Sequence, residues 1–279
     1  MSLEAGFDRI ARASEEQIRI QEGDYQKNGL WYCGKCNTPK QVRLTILGKE
    51  KMPMCLCECA EKHREVKKQE EKQRDFDRRV KELRKAGFPE AQMEHWTFAN
   101  SDSPDSKYSK IAKRYVENFE NMRADGKGLL LLGGVGTGKT FLASCIVNAL
   151  IDHGVPCLMT NFARLTNTLS GMYEGKQEYI DSLSSFPLVV IDDLGAERDT
   201  EYVGEIVHNI IDSRYREGLP LIVTTNLTGR ELESPADIRK KRIYSRLFEM
   251  CIPVKFEGVD RRKNNLKQSY GKYMEVLGL

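Results

Sequence analysis

The stretch Gly133 to Thr140, GGVGTGKT, constrains this chain more than any other segment. It satisfies G-x-x-x-x-G-K-[ST] in full, directly after the apolar run GLLLL and directly before the helical run TFLASCIVNALIDHG. A strand, a glycine turn and a helix in that order let successive backbone N–H groups curl around phosphate oxygens. The helix beginning at Lys139 adds the positive end of its dipole. The candidate phosphate cradle is Gly133, Gly134, Val135, Gly136, Thr137, Gly138, Lys139, Thr140 and Phe141. Lys139 is expected to reach the outer phosphates of ATP or ADP, and the Thr140 hydroxyl to ligate Mg²⁺. A glycine-rich turn that merely precedes a helix is the plain alternative. The Lys-Thr pair and the strand–loop–helix context both speak against it.

The runs that follow extend the pattern. VPCLMT, SFPLVVIDD and PLIVTTN are short and apolar, and amphipathic stretches such as EYVGEIVHNIIDSRYREG separate them. Continuous apolar strands alternating with helices predict an α/β fold, a parallel sheet covered on both faces. With 279 residues, of which 40% are apolar and 30% charged, the chain can carry such a domain plus a smaller module.

Two strand ends carry polar groups that suit a triphosphate site. PLVVIDDLG puts Asp192 and Asp193 at the carboxyl edge of a central strand, where ligands of such sheets bind. Asp192 is expected to hold Mg²⁺ through water, and Asp193 to orient or deprotonate the attacking water. Asp is one methylene shorter than the Glu common at the second position, so slow hydrolysis is expected. PLIVTTNL supplies Asn226 to position that water. A later basic stretch, ADIRKKRIYSRLFEM, offers Arg246, with Arg242 in reserve, as an arginine projecting across a subunit boundary toward a neighbour's phosphate. Taken alone it also reads as an amphipathic helix with solvated arginines. GVDRR offers Arg261 and Arg262 as phosphate contacts within the chain.

Five of the eight cysteines crowd into WYCGKCNTPKQVRLTILGKEKMPMCLCECAEKH. Cys33 and Cys36 on one turn, with a second close set about twenty residues later, have the spacing of a tetrahedral structural zinc site. Cys57 is the firmest member of the second set, with Cys55 or Cys59 as the fourth ligand and His63 as a further option. The alternating QVRLTILG between them reads as a short strand of a zinc ribbon. Disulfides are the rival, but five clustered cysteines leave one unpaired, and no secretory signal accompanies them. Cys145, Cys157 and Cys251 sit in apolar runs and are expected in the core.

Around these motifs the chain divides into an amino-terminal region, 1–86, and a nucleotide-binding domain, 87–279. Leu3, Phe7 and Ile10 predict a short amphipathic helix over residues 1 to about 22. AEKHREVKKQEEKQRDFDRRVKELRKAG holds eleven basic and seven acidic side chains and predicts a long helix ending at Gly87, with only Phe76, Val80 and Leu83 as an apolar face. NSDSPDSK at 100–107 has loop composition. No apolar run approaches the roughly 20 residues that span a bilayer, and the first residues carry acids where a signal peptide is basic and then apolar. A cytoplasmic protein with no membrane partner is therefore expected. A net charge of +3 announces no nucleic-acid partner by itself.

GGVGTGKT, VVIDDLG, IVTTNL and IYSRL, in that order and spacing, resemble the DnaC/DnaI helicase loaders and their IstB relatives among the AAA+ ATPases. The resemblance covers about residues 95 to 264. It implies an AAA+ P-loop ATPase with a five-stranded parallel sheet in the order 5-1-4-3-2, ATP-dependent self-assembly with sites shared between subunits, and contacts to single-stranded DNA. It also implies that Arg246 is the trans-acting finger and that Arg262 stands at the second sensor. Asp260 replaces the serine usual there, which weakens the last assignment. Little chain follows GVDRR, so the helical lid of larger AAA+ proteins is expected to be absent or minimal, as in the loaders this chain resembles. The zinc module ahead of the ATPase is similar to the part of loaders that grips a hexameric replicative helicase.

Four readings follow from the residues and the resemblance. The chain is a helicase loader, an IstB-like helper that acts on DNA with a transposase, a P-loop kinase for a small molecule, or a zinc-ribbon DNA-binding adaptor whose nucleotide only stabilises it. A kinase would make TTN and SRL coincidental, and IstB proteins usually lack such a cysteine cluster. DNA contact rests on a modest basic excess over residues 227–279, twelve Lys or Arg against seven acids, and on Phe162, Arg164 and Tyr173 in and after TNFARL.

Overall fold

The structure, a computed structural model, describes residues 19–46, 48–196 and 200–261 and the single positions 270, 274 and 277. Leu3, Phe7 and Ile10 of the expected amino-terminal helix, and Arg262, lie outside the described residues. Residues 19–22 are not helical. A turn closed by Asp24, whose carboxylate accepts the Gln21 N–H, replaces the helix there. The chain forms two compact units, residues 1–77 and 78–279.

The first unit is built of two small hairpins and the start of a long helix. β1 (Tyr25–Lys27) pairs antiparallel with β2 (Leu30–Tyr32), and β3 (Leu44–Ile46) with β4 (Lys49–Lys51). Asn28 and Gly29 between the first two strands both have positive φ, the requirement of a two-residue hairpin turn. The core is small: Cys33, Leu44, Cys55, Leu56 and Cys57 are buried. Beside it Lys40 lies almost wholly covered and pairs with Asp24 at 2.6 Å.

The charged run forms α1 (Glu58–Gly87), with acids in its first turn and Arg84 and Lys85 in its last, the signs that its dipole favours. The two units divide inside this helix, because Val80 and Leu83 on its last turns pack into the core of the second unit while Phe76 stays exposed.

In the second unit, α2 (Lys107–Glu117) and α3 (Phe119–Ala124) precede β5 (Gly128–Gly133), α4 (Lys139–Asp152) and β6 (Cys157–Asn161). After them come α5 (Phe162–Ser170), α6 (Lys176–Ser182), β7 (Leu188–Leu194), α7 (Glu201–Arg216), β8 (Leu221–Thr225), α8 (Gly229–Glu233), α9 (Ile238–Met250) and β9 (Cys251–Phe256). The five strands are all parallel, in the order β6-β7-β8-β5-β9. Counted from the first strand of this sheet, that is 5-1-4-3-2 read from the β9 edge; chain-wide numbers differ because four short strands precede it.

The apolar runs divide between the two faces with period two. Leu130, Leu132, Val189, Ile191, Leu221 and Val223 face one core with α5, α7 and α9. Leu129, Leu131, Leu188, Val190 and Ile222 face the other with α2 and α4. Cys145, Cys157 and Cys251 are buried, as expected. Burial pushes the first two thiols up to about 12, which leaves them inert.

Candidate functional site

The carboxyl ends of β5, β7 and β8 meet at one mouth. Gly133 ends β5 so close to β9 that any Cβ there would strike the Phe256 carbonyl. Beyond it, Thr137 donates to the Gly134 carbonyl at 2.9 Å, and the Arg261 N–H donates to the Gly136 carbonyl at 3.0 Å. These bonds tie the loop to itself and to the chain that leaves β9. Lys139 is buried, and its ammonium donates to the carbonyls of Gly133 and Gly134 and to Asn226 Oδ1, each at 2.8 Å.

The acidic pair sits on a bulge in β7. Its register against β8 shifts between Ile191 and Leu194, and Asp193 takes a positive φ of 63°. Bulges re-aim side chains beside active sites. Here the bulge sends the two carboxylates different ways. Asp192 accepts the Thr140 hydroxyl at 2.9 Å and the Thr224 hydroxyl at 2.6 Å. Asp193 accepts the Asn226 amide at 2.8 Å, and its own N–H donates to Thr224 Oγ1 at 2.9 Å. Burial, with Asp193 nearby, holds the Asp192 carboxyl above the usual carboxylate range despite the two hydroxyls and Lys139.

These groups line a cavity of about 520 Å³, the size of a cofactor site. The Thr140 hydroxyl beside the Asp192 carboxylate is the hard oxygen set that Mg²⁺ prefers, so the residues fit that ion. Trp96 and Phe141, 6.0 Å apart centroid to centroid, also line the cavity, as do Asn100 and Asp102. Asn148 of α4 places Trp96 by donating to the carbonyls of Met93 and Trp96 at 2.9 and 3.0 Å. Arg261 also lines the cavity.

Arg246 and Arg242 do not line it. Both lie on α9; Arg246 is ion-paired with Asp212 of α7 at 2.7 Å, and Arg242 is exposed.

Trp96, Asn100, Asp102 and Thr224 were not singled out in the sequence. Thr224 had a legible signal, a polar residue one step inside a strand end. The first three lie where composition shows only a boundary and a loop.

In the first unit the Sγ atoms of Cys33, Cys36, Cys57 and Cys59 all lie within 4.8 Å of one another, with Cys57–Cys59 at 3.4 Å and Cys33–Cys59 at 3.6 Å. A tetrahedral Zn²⁺ with Zn–S near 2.3 Å asks for sulfur separations of about 3.8 Å, so the quartet fits that ion. Cys55 is not part of it. Its N–H donates to the Lys40 carbonyl, and its buried thiol turns to Pro39. His63 is exposed. Burial alone would raise the thiols. Hydrogen bonds from Thr38 and Cys59 nevertheless lower Cys36 to about 6, while Cys57 and burial push Cys59 up to about 12.

The residues considered for DNA separate. Phe162 is 1% exposed and belongs to the core, because the first helical position after β6 turns inward. Arg164 donates to the Pro89 carbonyl, and Tyr173 is fully exposed.

A phosphate loop, a bulged pair of strand-end aspartates and a strand-end asparagine on a 5-1-4-3-2 sheet define a P-loop nucleotide-binding protein of the AAA+ class. The family described as IstB-like ATP binding protein matches residues 59–269. The chain belongs to that family. It is 24% identical over 204 residues to the replicative helicase loader DnaI of Bacillus subtilis, covering 67% of this chain and 65% of that one. It is 32% identical over 133 residues to the replicative helicase loader DnaC of Buchnera aphidicola subsp. Schizaphis graminum, covering 46% and 53%. A crystal structure of DnaI superposes with a TM-score of 0.53 at 26% identity, covering 64% of this chain and 98% of that one. The chain thus spans between half and two thirds of the length of these curated relatives. Among the described residues no helix is long and apolar enough to cross a membrane.

Proposed function

We propose that this chain is an ATP-hydrolysing helicase loader. It binds a hexameric replicative helicase through its zinc-bearing amino-terminal region (residues 1–86, which includes the first unit and most of α1), assembles with further copies through its ATPase domain (87–279), and delivers the helicase to single-stranded DNA in the cytoplasm. The observation that carries this reading is the convergence of Lys139, Thr140, Asp192, Asp193 and Asn226 at one mouth, in a chain that aligns with DnaI over 204 residues. The cysteine quartet ahead of the ATPase favours a loader over a transposition helper.

Each side chain then has a task. Lys139 exchanges its bonds to the loop carbonyls for phosphate oxygens. Thr140 and Asp192 hold Mg²⁺, which screens charge on the outer phosphates. Asp193, oriented by Asn226, accepts a proton from the attacking water. Arg261 contacts phosphate within the chain, Arg246 that of a neighbouring copy, and Arg262 is kept as the second sensor. Cys33, Cys36, Cys57 and Cys59 hold Zn²⁺, which substitutes for the core this unit lacks. Arg164 and Tyr173 remain candidates for contact with DNA.

The test is transfer of purified helicase onto single-stranded DNA. Lys139→Ala is expected to abolish nucleotide binding and transfer while leaving zinc content intact. Transfer at the wild-type rate by that variant overturns the mechanism.

A further inference from the structure

Arg246 does not hang free in solvent. On α7, His208, Asp212 and Tyr215 are spaced by four and three residues and so share one helix face, and all three close on its guanidinium. Nη2 lies 2.7 Å from Asp212 Oδ1, Nη1 lies 2.6 Å from His208 Nε2, and the Tyr215 ring centre is 5.8 Å away. Because Nη1 can only donate, His208 Nε2 accepts. The other ring nitrogen, Nδ1, faces Asn209 Oδ1 at 3.5 Å.

The clasp is built to open. Asp212 Oδ2 pairs with Arg216 at 2.8 Å, so withdrawal of Arg246 leaves the carboxylate one cationic partner. The Arg246 side chain keeps 28% of its surface exposed. Arg214, two residues past Asp212, shows the opposite design. It is 1% exposed and donates to four backbone carbonyls, those of Leu183, Phe186, Pro187 and Pro220, with no route out.

We propose that Asp212 and His208 are positioning residues that hold Arg246 within its own protomer until a second, triphosphate-bound copy draws it across. This rests on the reading that Arg246 serves a neighbour's phosphate, and it adds a threshold to assembly. A terminal phosphate carries more charge than a carboxylate already shared with Arg216, so it wins the guanidinium only when a neighbour presents it. An unassembled chain keeps its arginine occupied. By linkage, whatever weakens the clasp favours assembly to the same extent.

The experiment follows ATP hydrolysis per protomer and sedimentation against concentration of the full chain, with ATP and Mg²⁺. Asp212→Asn, and separately His208→Leu, are expected to move the midpoint to a roughly five- to tenfold lower protein concentration. His208→Gln, which keeps an acceptor, is expected to retain the wild-type midpoint. A merely structural role predicts the reverse for the first two variants, a lower melting temperature and a higher midpoint. Arg246→Ala separates the two ideas. If it hydrolyses ATP like the wild type, the trans reading itself fails. If it binds nucleotide but is inactive, while Asp212→Asn and His208→Leu leave the midpoint where it was or raise it, the clasp alone is overturned.

Discussion

The ammonium of Lys139 lies 2.8 Å from the side-chain oxygen of Asn226, although 87 residues separate them in the chain. The same Asn226 gives its amide to Asp193. One side chain thus joins the group proposed to meet phosphate to the group proposed to meet water.

Asn226→Ala cuts that link without touching the loop. Hydrolysis is expected to fall about 10²–10³-fold, as when a single oriented polar group is removed from a reacting centre, with nucleotide affinity nearly kept. Phosphate release and nucleotide titration measure the two separately. An equal loss in both would reduce Asn226 to a binding residue.

Thr224→Val removes a hydroxyl shared by Asp192 and the Asp193 N–H. The Asp192 carboxyl already stands above its ordinary range because it is buried. Losing the hydroxyl raises it further. On the proposed role only the carboxylate would hold Mg²⁺, so activity is expected to fall as pH drops through that raised value. The acid limb of the hydrolysis profile is therefore expected to move to higher pH, with more Mg²⁺ needed for half activity. Stability is expected to fall by about 1–2 kcal/mol for the unpaired N–H. An unmoved acid limb would count against this role for Thr224.

The cysteine cluster allows a discriminating pair of variants. Cys59→Ser is expected to lose tightly held zinc and Cys55→Ser to keep one zinc per chain, as read by metal analysis after gel filtration. The opposite pattern would put Cys55 in the site.

Asp24→Asn is expected to destabilise the first unit by about 2–3 kcal/mol, because it strips the charge partner from a covered lysine. Burial pushes the Asp24 carboxyl up, but hydrogen bonds from the backbone of Gln21 and Gly34 and from Lys40 more than offset it and leave it below its ordinary value. The contribution is therefore present above the ordinary carboxylate range and is lost as pH falls through the lowered folded value. Denaturant titrations of wild type and variant at a series of pH values check this, and their difference should shrink at the acid end.

The phosphate loop and the sheet were legible because both are local. A glycine turn at fixed offsets needs no partner, and Leu129 to Leu132 state their alternation between two cores in four consecutive residues. What stayed hidden depends on distant chain. Trp96 reads as boundary sequence until Asn148 of α4 grips its carbonyl. Phe162 reads as a stacking aromatic until the turn after β6 carries it into the core. The choice among Cys55, Cys57 and Cys59 could not be made from spacing, because it turns on where the chain stops being extended. α1 begins at Glu58, so Cys57 and Cys59 straddle its start and converge, while Cys55 keeps pairing with Lys40. Arg246 was legible as a basic side chain on a helix, but its captors lie on another helix.

The bulge at Asp193 has a consequence for how the protein keeps time. The left-handed region costs an L-residue about 1–2 kcal/mol, and after Gly it is Asp and Asn that enter it most readily. Drift toward Glu, with its longer reach to water, is thereby resisted by the backbone itself. On the proposed role of Asp193, a short acid here is expected to give an unhurried clock, its tempo set by the bend of one strand.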